Sequence, residues 1–178
     1  ARLGFEEASS DWREVINRPD IDVVDICTPN NLHAEIAIQA AKAGKHIMCE
    51  KPLARTLEEA EAMCKAANEA GVINMVAFNY RRTPAVALAK KFIDEGRIGD
   101  VVNFRGTYLQ DWSADPDGPL SWRFQKSIAG SGAIGDIGTH VVDMAHYLVG
   151  PITEVSSIMK TYVQSRPIQD SGVDKLGA

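Results

Sequence analysis

Apolar residues in the first half of the chain come in short β-branched runs separated by helical stripes. Residues 21–29, IDVVDICTP, are a run of Ile and Val that closes on turn residues, the pattern of a strand buried on both faces. Residues 33–44, HAEIAIQAAKAG, repeat at helical spacing, with Asn31 placed to cap the helix and Gly44 placed to end it in the left-handed conformation. HIMCEKP at 46–52 reads as a second strand, stopped by Pro52. Thr56 and Glu59 form a T-x-x-E capping box for a helix over 57–70, whose Leu57, Ala60, Cys64 and Ala67 make the core stripe ahead of Gly71. VINMVAFN at 72–79 is a third strand. Strand, helix, strand, helix, strand with short connections predicts a parallel sheet with right-handed crossovers.

Beyond Asn79 the pattern changes. Thr83 and Pro84, a cap followed by proline at the first helical position, open a helix that runs to Gly96. Residues 100–112, DVVNFRGTYLQDW, alternate aromatic and Thr positions with polar ones, as an antiparallel strand with one wet face does. Residues 113–132 hold Pro, Asp, Ser and Gly around an SWRF island and read as a long functional loop. A helix over 135–148 follows, with Ile137, Val141, Met144, Ala145 and Leu148 as its apolar stripe, and residues 152–164 form a further strand. The first twenty residues read as the end of one helix and then another. A nucleotide-binding sheet begins with a strand and a Gly-rich turn, and none precedes Ile21; GSGAIG at 130–135 matches the string but follows a loop. The chain therefore reads as truncated at both ends.

Composition narrows the class. With 178 residues, 45% of them hydrophobic, the chain can bury a sizeable core. Its net charge of −5 comes from interleaved acids and bases, with no basic block to track a phosphate backbone, which argues against nucleic acid. It has no apolar run of membrane-spanning length and no charged-then-apolar leader. Cys27, Cys49 and Cys64 lack C-x-x-C spacing, as expected of reduced thiols in the cytoplasm, each a small buried apolar residue.

Candidate chemistry sits at predicted strand ends, where open α/β sheets bind ligands. TPNNLH at 28–33 follows the first strand and CEKP at 49–52 ends the second. Lys51, between Glu50 and Pro52, is either a partly desolvated, tunable donor or a surface charge paired with Glu50. Asp136 and His140 stand at i and i+4, so a carboxylate can orient an imidazole that takes a hydroxyl proton; the plainer alternative is a capping acid beside a half-buried histidine. Adding Asp143 does not make a metal site, since three ligands on one helix face rarely converge on one ion. His146 reads as an ordinary packed or surface residue. Trp112, Trp122 and Arg123, in or beside the loop, are the aromatic and guanidinium groups of a sugar or polyol site, or simply domain packing.

Together, TPNNLH, AGKHIMCEKPLA (43–54), FNYRR (78–82) and GSGAIGDIGTH (130–140) resemble the Gfo/Idh/MocA family of nicotinamide-dependent sugar and polyol oxidoreductases, over residues 21–164. The resemblance implies an α/β fold. Residues 1–80 would be the C-terminal part of a Rossmann domain, and 81–178 part of a substrate-binding and oligomerisation domain with an open, mainly antiparallel sheet. It implies NAD or NADP as cofactor, a small sugar or polyol substrate, and a homo-oligomer. The family's E-K-P lysine falls on Lys51 and its D-x-x-x-H pair on Asp136 and His140: Lys51 would hold the reacting hydroxyl, His140 would take its proton, and Asp136 would orient His140. Cofactor contacts would come from Thr28, Pro29, Asn30, His33, Glu50, Lys51 and Asn79, and substrate contacts from Tyr80, Arg81, Trp112, Arg123, Asp136 and His140. FNYRRTPAVALAKK and the stretch from Tyr108 to Asp136 look like the branch that acts on the anhydrosugar levoglucosan, with inositol or an aldose as the other expectations. The missing Gly-rich turn leaves NAD against NADP open. The rivals are a relative that oxidises and re-reduces a sugar to cleave a glycoside, a non-catalytic sugar-binding or regulatory protein, and a metal-assisted hydrolase or lyase.

Overall fold

A computed structural model describes residues 4–168. The chain divides into two compact units, one running to Asn79 and including Ser127–Ser131, the other holding Tyr80–Lys126 and the chain from Gly132 onward.

In the first unit, α1 (Trp12–Ile16), β1 (Val23–Ile26), α2 (Asn30–Lys42), β2 (His46–Cys49), α3 (Leu57–Ala70) and β3 (Asn74–Val76) follow in order. The strands form a parallel sheet in the order β1-β2-β3, with Val24 opposite Ile47 and Ile26 opposite Cys49. This register puts Val24, Ile26, Ile47 and Cys49 on one face, in a core with Ile36, Ala37, Ala40 and Ala41 of α2 and Met63 of α3. Burying one such Ile contributes about 1.5–3 kcal/mol. The other face stays open, with Val23 55% and Met75 50% exposed. β1 is therefore covered on one face rather than on both as its apolar run predicts, because among the described residues this sheet has no second helical layer.

Three local details differ from expectation, and each has a cause. Helix α2 starts at Asn30, with Pro29 at the cap position and no side-chain cap bond, so Asn31 lies inside the first turn. Its end is as expected: Gly44 has φ of +74°, its N–H donates to Ala41 O and the Lys45 N–H donates to Ala40 O, closing the helix in a left-handed turn. In α3, Thr56 Oγ1 accepts from the Glu59 N–H at 3.2 Å, while the Glu59 carboxylate accepts from the Arg55 N–H at 3.0 Å, one residue earlier than a reciprocal box requires. Of the expected α3 stripe Ala67 is buried and Ala60 half-buried, while Leu57 is 69% exposed and Cys64 is exposed; Met63, next to Cys64, takes its place in the core. Thr56→Ala should cost about 1 kcal/mol, read as a lower urea midpoint with an unchanged slope.

In the second unit, Thr83 and Pro84 open α4 (Pro84–Asp94) as expected, although the Thr83 side chain makes no cap bond. Residues 100–112 and 152–164 carry no ladder pairing among the described residues. A strand exists only through the partner that takes its backbone groups. Alternation is still visible in 100–112: Tyr108 packs on His140, and a Cβ at Gly106 would come within 2.6 Å of Val141 Cγ1, so only glycine allows this approach. The loop expected over 113–132 contains a 3₁₀ turn, Trp122–Phe124, and one turn of helix, α5 (Lys126–Ala129). The last helix begins as a π-helical turn, Ile134–Gly138, and continues as α6 (Thr139–Leu148).

Candidate active site

The first group of candidate residues lies at the carboxyl edge of the parallel sheet, where Thr28 and Pro29 follow β1 and Glu50 and Lys51 follow β2. Glu50 Oε2 accepts from the Lys51 backbone N–H at 3.1 Å, tying the acid to the lysine's own peptide. Lys51 is half-buried and Asn79, which opens a 3₁₀ turn beyond β3, is exposed. The Thr28 hydroxyl is buried with no hydrogen-bond partner among the described residues. An orphaned polar atom at a strand end is one that a bound dinucleotide could satisfy, so this edge fits such a cofactor.

Two residues expected to touch the cofactor are turned inward. His33 is fully buried, with Nδ1 3.0 Å from Pro52 O and Nε2 2.9 Å from Thr28 O. Asn30 is 6% exposed and its Nδ2 donates to Ala129 O at 2.9 Å. Both side chains are engaged by backbone carbonyls of the same unit. Arg55 completes the attachment of Ser127–Ser131: Nη1 donates to Ser127 O at 2.7 Å, and Gly130 lies so close that a Cβ would meet Arg55 Cα at 3.1 Å. Cys49, fully buried beside this edge, has its thiol pushed up to about 12 by burial, which keeps it protonated and inert.

The second group surrounds the start of α6. His140 is 7% exposed and stacks on Tyr80 with ring centroids 4.4 Å apart, while Tyr108 lies 5.9 Å away. The two tyrosine hydroxyls hydrogen-bond at 2.6 Å. Asp136 stands in the π-helical turn, 27% exposed, with Arg123 Nε 3.9 Å from its Oδ1. Arg123 packs over Trp122 at 4.5 Å, and Trp112 stacks on Phe124 at 5.4 Å, with its Nε1 donating to Gln110 Oε1.

Arg81 pairs with a carboxylate of α6. Its Nε lies 3.0 Å from both carboxylate oxygens of buried Asp143, and its guanidinium packs over Tyr147 at 5.2 Å. The Asp143 carboxylate holds the Arg81 pKa above its ordinary value. Asp143, which the sequence aligns with Asp136 and His140, is thus the anchor of Arg81, and His146 is exposed. Arg81→Ala should leave a buried carboxylate unpaired and cost about 2 kcal/mol, checked by urea denaturation. Among the described residues no cluster of three or more His, Cys, Asp or Glu could hold a metal ion, and no helix is long and apolar enough to cross a membrane.

Sequence reasoning missed Tyr108, which shares the His140 cluster, and Arg166, whose guanidinium donates to Asp115 O at 2.7 Å and to Ser113 O, holding the loop. Tyr108 had a signal in the alternation of 100–112; Arg166 had none.

Comparison with known proteins adds a family and its members. Residues 1–78 match the Gfo/Idh/MocA model described as an oxidoreductase family with an NAD-binding Rossmann fold, and residues 86–176 match the C-terminal domain model of the same family. A levoglucosan dehydrogenase of Pseudarthrobacter phenanthrenivorans is 67% identical over 176 residues, 99% of this chain and 45% of that protein. A scyllo-inositol 2-dehydrogenase (NAD(+)) of Bacillus subtilis is 42% identical over 86% of this chain and 43% of its own length. A solved levoglucosan dehydrogenase in complex with NADH and levoglucosan superposes with a TM-score of 0.93 at 67% identity, covering 97% of this chain and 47% of that one. The chain spans less than half the length of each of these relatives.

Proposed function

We propose, since this chain belongs to the Gfo/Idh/MocA oxidoreductase family, that the full-length protein oxidises a secondary hydroxyl of a cyclic sugar or polyol, with levoglucosan or an inositol as substrate. The observation that carries this reading is the presence of Lys51, Asp136 and His140, the residues on which the family's E-K-P and D-x-x-x-H motifs fall, in a chain 67% identical to a levoglucosan dehydrogenase. A protein that only bound sugar would not need a proton acceptor.

Lys51 donates a hydrogen bond to the oxygen of the reacting hydroxyl and favours its deprotonation. His140 takes the hydroxyl proton as general base, and Asp136 orients and stabilises the imidazole as it gains charge. As the proton leaves oxygen, the carbon-bound hydrogen departs with its electron pair and the carbonyl forms. NAD or NADP, when bound, supplies the acceptor for that hydride. Thr28, Pro29, Glu50, Lys51 and Asn79 would hold it; Tyr80, Trp112 and Arg123 would line the sugar side, by stacking and by hydrogen bonding.

The same reading places residues 100–112 and 152–164 in an open, mainly antiparallel sheet of a homo-oligomer. Support comes from the alternation of Gly106 and Tyr108 toward α6, and from apolar residues left open at Val102, Leu109, Val155 and Ile158. Three free thiols support a reducing compartment, the cytoplasm.

The test is the absorbance of reduced nicotinamide, followed with the full-length protein, NAD or NADP, and a panel of levoglucosan, inositols and aldoses. A rise with levoglucosan or an inositol is expected. Demonstrable cofactor binding with no rise on any panel member would overturn the reading.

A further inference from the structure

We propose that His33 is a positioning residue for Lys51, a bracket that pins together the loops following β1 and β2. The inference rests on the catalytic role given to Lys51 above. The imidazole is fully buried and lies between two backbone carbonyls, Thr28 O at 2.9 Å from Nε2 and Pro52 O at 3.0 Å from Nδ1. Carbonyl oxygens only accept, so the ring contributes N–H donors: a neutral ring serves one carbonyl and the protonated ring serves both. One of these carbonyls is on the loop after β1 and the other on the residue that follows Lys51. Pro52 O belongs to the peptide between Pro52 and Leu53, and because the proline ring locks φ, only Pro52 ψ separates that plane from the Lys51–Pro52 peptide, so holding Pro52 O restricts the backbone from which the Lys51 side chain projects.

Two neighbouring contacts tighten the same bracket. Glu50 Oε2 accepts from the Lys51 N–H at 3.1 Å, so the lysine's peptide is held on its amino side as well. Asn30, on the same helical turn as His33, donates to Ala129 O at 2.9 Å and anchors that turn to Ser127–Ser131. The T-P-N-x-x-H turn therefore directs its two buried polar side chains at backbone carbonyls of its own unit, and the ring has no exposed surface to offer a ligand. Catalytic groups are that sensitive to placement: a shift of about 1 Å can cost about 10²-fold in rate.

The experiment compares His33→Leu and His33→Gln with the parent in the full-length protein. Leu fills the space and donates nothing; Gln keeps one amide donor. Five readouts are taken: kcat, KM, the NADH dissociation constant, the urea midpoint, and amide hydrogen exchange of peptides spanning residues 50–55. His33→Leu is expected to lower kcat by about 30-fold or more, to leave KM and NADH affinity within about threefold, and to speed exchange at 50–55. His33→Gln is expected to restore part of both kcat and protection; if the Leu variant does not fold, the Gln variant must still show a smaller loss of the same kind. Weaker NADH binding with kcat unchanged would overturn the proposal in favour of direct cofactor contact. A lower urea midpoint with kcat per folded molecule and exchange at 50–55 unchanged would overturn it in favour of a purely structural histidine. Failure of the function reading is distinguishable: Lys51→Met would then retain turnover, while the exchange readout at 50–55 would still report whether His33 pins the loop.

Discussion

Lys51→Met in the full-length protein should lower kcat by about 10³-fold while NADH affinity changes by no more than about threefold. Met preserves the length and most of the volume of the lysine stem but removes the donor and the charge. The backbone that places it is held from both sides, by Glu50 on the Lys51 N–H and by His33 on the Pro52 carbonyl, so the substitution should not move the loop. What disappears is the hydrogen bond to an oxygen that becomes negative as its proton leaves, an interaction worth more in the transition state than in the bound substrate. Steady-state rates and NADH titration check it, and turnover at the parent rate would remove Lys51 from the chemistry.

His140→Ala should lower kcat by about 10²–10⁴-fold, the range a positioned general base contributes. The imidazole is buried against Tyr80, so its removal leaves a cavity beside the Tyr80–Tyr108 hydroxyl pair. Free imidazole added to the variant should then restore part of the rate, because the cavity has the shape of the lost ring and a small base can take the same proton. Rescue separates a missing base from a damaged fold, since exogenous base does not refold a protein. Loss of rate without rescue, with the urea midpoint lowered in proportion, would assign His140 to packing.

Much of the first unit was legible because its signals are local. Gly44 and Gly71 end helices in left-handed turns, Thr56 caps α3, and β1 and β2 fall inside the short apolar runs that end in turn residues. Burial was less legible, because it depends on what covers an element. Val23 looks like a core residue and is open; Met63 and not Cys64 faces the core, since the packing of α3 against α2, and not the spacing alone, selects the stripe. The candidate residues divide in the same way. The motifs placed Lys51, Asp136 and His140 on the chain, but nothing in TPNNLH says that Asn30 and His33 point inward. The pairing of Arg81 with Asp143, 62 residues away, has no local signal in the sequence. Residues 100–112 and 152–164 show why strands are harder than helices: alternation marks a face, while a ladder needs a second segment.

The most direct measurement of the central claim is stoichiometry. Full-length protein is given levoglucosan or the inositol it turns over, with an excess of NAD or NADP, and consumed substrate and accumulated reduced nicotinamide are counted together. A dehydrogenase yields one reduced nicotinamide for each substrate oxidised to a ketone. Substrate consumed without accumulation of reduced nicotinamide would contradict that reading and assign the protein to transient redox chemistry.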